Sequence, residues 1–262
     1  MSHPIRVTVF GSAAGFPTKA RPNTTAVGVW RGEALYLLDA GESVAALLAA
    51  RAVPPDALGA VFISHMHADH MAGLPLLLQW LQLNKRKRAL VIGLPQEGVD
   101  GFMSLLSMCY LLPEWLGFEL EVLGVEEGPG YEAEGLVVKA IPNRHLEGFV
   151  ERLREMGDSR QGESYSYAIE ADGKRMLFSA DLAYAWEVPE RVRGTDLAIV
   201  ELAHFEPEEL GEALAGLALP RLVLTHIKHT LELVEDEIPA RIKAAGYGGE
   251  VVVAHDGDEF TL

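Results

Sequence analysis

The sequence predicts an α/β fold of four layers, αββα, with two sheets packed face to face and helices outside. Three observations predict it: short strand-like runs mix with helical patterns, tight-turn signals join neighbouring strands, and no linker of shifted composition divides the 262 residues. Runs rich in Val, Ile, Leu and aromatic residues at 6–10, 26–30 and 35–39 read as strands, with Gly32-Glu33 as the turn between the last two. A helical pattern at 44–51 leads to a strand at 60–64, a helix at 74–83 and a strand at 89–93. Residues 98–110 read as a helix, 119–123 and 136–141 as strands, and 149–156 as a helix. Strands at 165–170 and 176–179 flank the turn dipeptide Asp172-Gly173. The remainder alternates: strand 197–201, helix 207–214, strand 222–225, helix 235–245 and strand 251–254. Residues 1–262 are expected to form a single domain.

Composition narrows the classes. At 49% apolar and 23% charged residues the chain is globular in composition, which excludes disorder, collagen and a disulfide scaffold. Lys and Arg number 22 against 38 Asp and Glu, a formal charge of −16 that repels a phosphate backbone over most of the surface and excludes a non-specific nucleic-acid coat protein. Cys109 stands alone and no signal-peptide pattern precedes the first strand, so a reducing, cytoplasmic setting is expected. The most apolar stretches, 74–83 and 102–112, are too short to span a bilayer, so no membrane partner is expected.

The densest chemistry follows an apolar strand: His65-Met66-His67-Ala68-Asp69-His70. In an extended segment residues two apart point the same way, so His65 and His67 can converge on one point. Asp69 and His70, where the chain turns toward a helix, are free to face a second point nearby. Three imidazoles and a carboxylate suit zinc, manganese or iron better than magnesium or calcium. A second apolar strand ends in Thr225-His226, much as the first ends in Ser64-His65. Histidines at the same end of two buried strands lie where the active sites of layered α/β folds collect.

His-x-His-x-Asp-His after an apolar strand resembles the signature of the metallo-β-lactamase-fold hydrolases, and further landmarks extend the resemblance over nearly the whole chain. Leu38-Asp39-Ala40-Gly41 resembles the family's early aspartate turn, whose carboxylate orients the metal loop. Ile141-Pro142-Asn143-Arg144-His145 resembles its strand-end histidine motif, and Leu224-Thr225-His226 its last histidine. Phe178-Ser179-Ala180-Asp181 resembles the bridging-aspartate motif, with Ala where the family often has Gly. The resemblance implies that His65, His67 and His145 hold one divalent ion, that Asp69, His70 and His226 hold another, and that Asp181 bridges them. It implies two ions per chain, zinc first and manganese or iron as alternatives, with a bridging hydroxide as nucleophile and no protein nucleophile. Asp69, Asp181 and His204 are the catalytic candidates.

The opening Val9-Phe10-Gly11-Ser12-Ala13-Ala14-Gly15-Phe16-Pro17, followed by Arg21-Pro22-Asn23-Thr24-Thr25, is similar to the ribonuclease Z and phosphodiesterase branch. This similarity implies hydrolysis of a phosphodiester in a small or nucleotide-like substrate. Ribonuclease Z carries His-Glu-Ala-Thr after the bridging aspartate, whereas this chain has Glu201-Leu202-Ala203-His204-Phe205. His204 is a candidate to protonate the leaving oxygen, with a purely supporting role as the alternative. Residues 146–163 read as a short charged helix and a loop rather than a long Gly/Pro-rich arm, so extended nucleic acid is not the expected partner. The alternatives are a thioester, lactone or β-lactam hydrolase, ribonuclease Z-like RNA processing, and a metal-bound regulatory protein binding its ligand near 102–116. A homodimer is left open.

Four weaker signals complete the reading. Asn84-Lys85-Arg86-Lys87-Arg88 reads as a solvated basic helix end, with a phosphate-steering patch as the alternative. His229 stands between a place in the site and plain exposure, and His255 reads as structural. The stretch 102–116 reads as core, with a lid or a dimer face as the sharper alternatives. Cys109 within it reads as an inert buried thiol.

Overall fold

The computed structural model describes residues 4–128, 130–217, 219 and 221–262. The first half of the chain builds β1 (Ile5–Gly11), β2 (Ala26–Arg31), β3 (Ala34–Leu38), β4 (Leu58–Phe62), β5 (Leu90–Pro95) and β6 (Leu120–Val125). The second builds β7 (Tyr131–Ala133), β8 (Leu136–Pro142), β9 (Tyr165–Ala171), β10 (Lys174–Phe178), β11 (Leu197–Leu202), β12 (Arg221–Ile227) and β13 (Glu250–Val253), and β14 (Glu259–Thr261) returns to pair with β1. The two sheets run β14-β1-β2-β3-β4-β5-β6 and β13-β12-β11-β10-β9-β8-β7. The helices are α1 (Val44–Ala50), α2 (Ala68–Met71), α3 (Leu74–Leu83), α4 (Val99–Met108), α5 (Glu147–Glu155), α6 (Val188–Val192), α7 (Pro207–Ala213), α8 (His229–Glu232) and α9 (Ile238–Ala244).

Period-two alternation in fully buried strands makes the four layers. Leu35 and Leu37 of β3 point outward with Val61 of β4, into a core shared with Leu48 of α1, Leu77 of α3 and Phe102 of α4. Tyr36, Leu38 and Phe62 point inward, against Tyr167, Phe178 and Ile199 of the other sheet. On the far side Ala198, Val200 and Leu202 of β11 meet Val188, Leu210 and Ile242 from α6, α7 and α9. This is the expected αββα sandwich. At Asp172-Gly173 both residues take left-handed φ, +50° and +74°, as a tight hairpin between β9 and β10 requires.

Strand direction positions the site. β3, β4, β5 and β6 are mutually parallel, as are β10, β11, β12 and β13, and β8 runs with β10 because both are antiparallel to β9. The carboxyl ends of β8, β10, β11 and β12 therefore share one end of their sheet. Among the hydrogen bonds that join the sheets there, the Tyr167 hydroxyl donates to the Ile63 carbonyl at 2.8 Å, and the Tyr165 amide donates to the Ser64 carbonyl at 2.9 Å.

The structure departs from the sequence reading at two surface features. Arg86 is buried rather than solvated: it donates to the carbonyls of Pro55, Leu58 and Ala89 and lies 5.5 Å from the Phe118 ring centre. Lys87 and Arg88 donate their amides to Asp56, and Arg88 pairs with Glu134, so most of the basic run is engaged within the fold. Cys109 is exposed, because α4 buries only the face carrying Phe102 and Leu106, while Met108, Tyr110 and Trp115 also face outward. No helix among the described residues is long and apolar enough to cross a membrane.

Candidate metal centre

Seven residues converge at the shared end of the sheets, six delivered by segments that follow strands and one from within a strand. His65, His67, Asp69 and His70 lie between β4 and α3, His145 follows β8, and Asp181 follows β10. His226 sits in β12 at a register break, where Glu201 faces Thr225 but Leu202 faces Ile227. This bulge takes His226 out of the ladder at φ +49° and aims its ring inward. Asp39 and Ala180 also occupy the left-handed region, at +62° and +50°. Left-handed non-glycine residues collect where surrounding structure imposes a geometry needed for function.

The ring and carboxylate atoms form two groups. His65, His67, His145 and Asp181 each offer a donor atom, as do Asp69, His70 and His226, and within each group these atoms lie within 4.8 Å of one another. Asp181 stands between the groups. Its Oδ2 is 3.9 Å from His65 Nε2, 3.7 Å from His145 Nε2 and 3.3 Å from His226 Nε2, and its Oδ1 is 3.4 Å from His70 Nε2. Asp69 Oδ2 lies 3.4 Å from His70 Nε2 and 3.8 Å from His226 Nε2, and it accepts the Gly15 amide at 2.9 Å.

A surrounding set of polar groups turns the rings. Asp39 Oδ2 accepts from His70 Nδ1 at 2.7 Å and from the Ser64 hydroxyl at 2.9 Å, while Oδ1 accepts the Ser64 amide. The Ser64 hydroxyl lies 3.0 Å from His65 Nδ1, and the Thr25 hydroxyl 2.7 Å from His226 Nδ1. The Nδ1 atoms of His65, His70 and His226 thus have partners, leaving their Nε2 atoms to face the centre. Gly41 is required behind this loop: a Cβ there would stand 2.3 Å from Thr24 Oγ1 and 2.8 Å from the Asp69 carbonyl.

The electrostatics are those of a cation site. Burial holds His65 and His67 below the ordinary imidazole range, and brings His145 down to about 3. These three rings are therefore neutral at pH 7, the form that ligates metal. His70 behaves oppositely: burial opposes its charge, but Asp181 and Asp39 outweigh burial and raise it well above that range. Asp181 is held well below the carboxylate range, since His226 and His70 outweigh its own burial. The buried atoms His65 Nε2, His70 Nε2 and Asp181 Oδ1 have no hydrogen-bond partner. Buried polar atoms are rarely left so, and this donor set fits two divalent ions of the zinc, manganese or iron type.

His204 lies beside this cluster after β11. Its ring is 4.7 Å from His145, and Nε2 is 4.0 Å from Asp181 Oδ2. Glu201, which the sequence reading did not single out, is buried, accepts from His204 Nδ1 at 3.0 Å and also takes the amides of Leu182, Ala203 and His204. The Glu-x-x-His spacing was its only signal. His229 and His255 lie away from the cluster: His229 is exposed against Phe16, and His255 pairs with Glu235 at 3.0 Å. His67, His145, His204, Phe149 and Tyr184 line an open cleft of about 650 Å³ above the cluster.

The family model described as "Beta-lactamase superfamily domain" matches residues 35–227, about three quarters of the chain. The chain belongs to this superfamily. Ribonuclease Z of Methanosarcina acetivorans is 33% identical over 143 residues, which are 54% of this chain and 45% of that protein. The chain thus spans about half the length of such relatives in its better-matched region. Ribonuclease Z of Haloarcula marismortui is 25% identical over 318 aligned residues, covering 97% of this chain and 96% of that one. Among solved structures, the metallo-beta-lactamase fold protein YhfI from Bacillus subtilis superposes with a TM-score of 0.77 at 22% identity, covering 99% of each chain. The superfamily's fold implies divalent ions at this cluster.

Proposed function

We propose that the protein is a dinuclear-metal phosphodiesterase acting on a small or nucleotide-like substrate, with residues 1–262 working as one domain. The observation that carries this reading is Asp181 standing between two donor groups, with His65 Nε2, His70 Nε2 and its own Oδ1 buried and without hydrogen-bond partners. His65, His67 and His145 would hold one ion, Asp69, His70 and His226 the other, and Asp181 both. Such a pair of ions, zinc in the first instance, lowers the pKa of a shared water and polarises the oxygen under attack.

The chain's own residues supply orientation and a proton. Asp39, Ser64 and Thr25 each engage an Nδ1, which keeps the Nε2 lone pairs of His70, His65 and His226 directed inward. Burial works against a charged His204, but its hydrogen bond and charge interaction with Glu201, helped by Asp181, raise its pKa above the ordinary value. A protonated His204 with Nδ1 fixed by Glu201 presents Nε2–H to the cleft, where it can donate to the leaving oxygen.

The ribonuclease Z relatives favour a phosphodiester bond and bring RNA back as a second reading of the substrate. The nearest candidate for an RNA-gripping arm, residues 146–163, is only α5 and its flanking loop, and the net charge of −16 disfavours a long polyanion, so the small substrate leads. The test is turnover of a chromogenic phosphodiester by the zinc- or manganese-reloaded protein beside Asp181→Ala. Metal-dependent turnover reduced at least about 100-fold in the variant is expected, within the range for losing a catalytic electrostatic group. Unchanged activity in the variant, or turnover of a thioester but no phosphodiester, overturns the assignment.

A further inference from the structure

The cleft above the metal cluster has imidazoles at its base and aromatic rings at its mouth. Phe149 of α5 lines it with its ring 5.7 Å from His67, and Tyr184, three residues beyond Asp181, lines it beside His204. Phe149 and Tyr184 are 48% and 43% exposed, and each lines the cleft beside a half-buried or exposed imidazole. Tyr184 is stacked on Trp186, with centroids 5.4 Å apart and planes 15° from parallel, and Trp186 is itself 57% exposed. The Arg144 guanidinium lies 5.5 Å from the Trp186 centroid and 6.0 Å from that of Tyr184. This arrangement buttresses the Tyr184 ring from within the chain.

Exposed rings held in place at the mouth of a polar site mark a binding surface rather than random exposure. Their chemistry favours a flat, polarisable partner, because offset stacking rewards a planar π-system with ring contact beyond its buried area. Arg144 is a poor receptor for a second phosphate, since Glu147 already accepts from its Nε at 2.6 Å.

We infer that Phe149 and Tyr184 form a stacking clamp that makes this site selective for phosphodiesters carrying a planar aromatic group one sugar away from the reacting phosphorus, in the first instance a nucleobase of a free nucleotide. The inference rests on the phosphodiester reading above and adds the group the ester carries. A base stacked on protein aromatics contributes about five- to 150-fold in affinity.

The experiment compares AMP with ribose 5-phosphate, which has the same phosphate and sugar without the base, by calorimetric titration of the zinc-reloaded full chain. The double variant Phe149→Leu, Tyr184→Leu is titrated beside it, and its fold is checked by circular dichroism. AMP should bind about tenfold or more tightly than ribose 5-phosphate, and that ratio should fall to near one in the double variant with ribose 5-phosphate affinity unchanged. Equal binding of the two ligands, no binding of either, or a ratio that survives the double substitution overturns the clamp. A hexa-adenylate bound more than tenfold tighter than AMP overturns the free-nucleotide source. Because the readout is binding, a clamp that holds in a protein without phosphodiesterase turnover would count against the hydrolysis proposal alone. Turnover without base preference would count against the clamp alone.

Discussion

Ala180 links backbone conformation to the chemistry of its neighbour. It precedes Asp181, takes φ +50° and is almost fully buried, so an L-residue is held in the left-handed region to carry the central carboxylate inward. That conformation costs about 1–2 kcal/mol for a residue with a Cβ, while glycine occupies it freely but loses about 0.4–1 kcal/mol through its looser unfolded chain. Ala180→Gly should therefore stabilise the protein by roughly 0.5–1 kcal/mol in urea unfolding, with metal content unchanged; a destabilised variant would show that the site imposes no strain there. The same conformation explains the resemblance motif, in which glycine often stands at this place. The metal-ligand candidates were legible because one strand delivers four of them in six residues and the others end apolar runs. Glu201, Thr25 and Ser64 were not. Their role is to face a particular Nδ1, and apart from the Glu-x-x-His spacing nothing in residue type or spacing encodes those pairings.

Elements carry these residues to the site by two devices, strand polarity and the junction between the sheets. Runs of Val, Ile, Leu and aromatic residues marked the twelve longer strands well, because most of them are buried on both faces, which demands such composition. The three-residue β7 and β14, and the helices α2, α6 and α8 of four or five residues, are too short for any periodicity to register. The bulge in β12 was equally invisible, since an extra residue in a ladder has no compositional mark. At the junction, Tyr167 of β9 donates to the carbonyl of Ile63, two residues before His65, and burial keeps its phenol protonated well above the usual range. Tyr167→Phe should cost about 1–2 kcal/mol, because it removes a buried donor and strands its acceptor. Urea titration gives the energy, and a rise in zinc dissociation from the reloaded variant shows whether the junction also holds the His65 loop. A variant equal to the parent in both would confine Tyr167 to a packing role.

At the scale of the molecule, the donor set is divided between the two halves of the sandwich. His65, His67, Asp69 and His70 come from the sheet built by the first half, and His145, Asp181 and His226 from the sheet built by the second. Ions held by this set would tie one sheet to the other, so their binding would report on global unfolding rather than on a loop. In the metal-free chain His70, raised well above the ordinary imidazole range by Asp181 and Asp39, is a charge that offsets these carboxylates. His65, His67 and His145 stay neutral and bring buried nitrogen to the centre without compensation. Binding in the folded state alone stabilises by about 2.7 kcal/mol when free metal is 100 times its dissociation constant, and at this chain length 1 kcal/mol moves Tm by roughly 2–4 °C. Chelation should therefore lower Tm by about 5–10 °C, and zinc should restore it. Asp181→Asn should lose most of that zinc-dependent shift, because it removes the carboxylate shared by both groups while keeping nearly the same shape. Differential scanning calorimetry of the four samples, parent and variant with and without zinc, decides it. Equal shifts in parent and variant would place zinc elsewhere on an acidic surface and remove the support for a site that joins the two sheets.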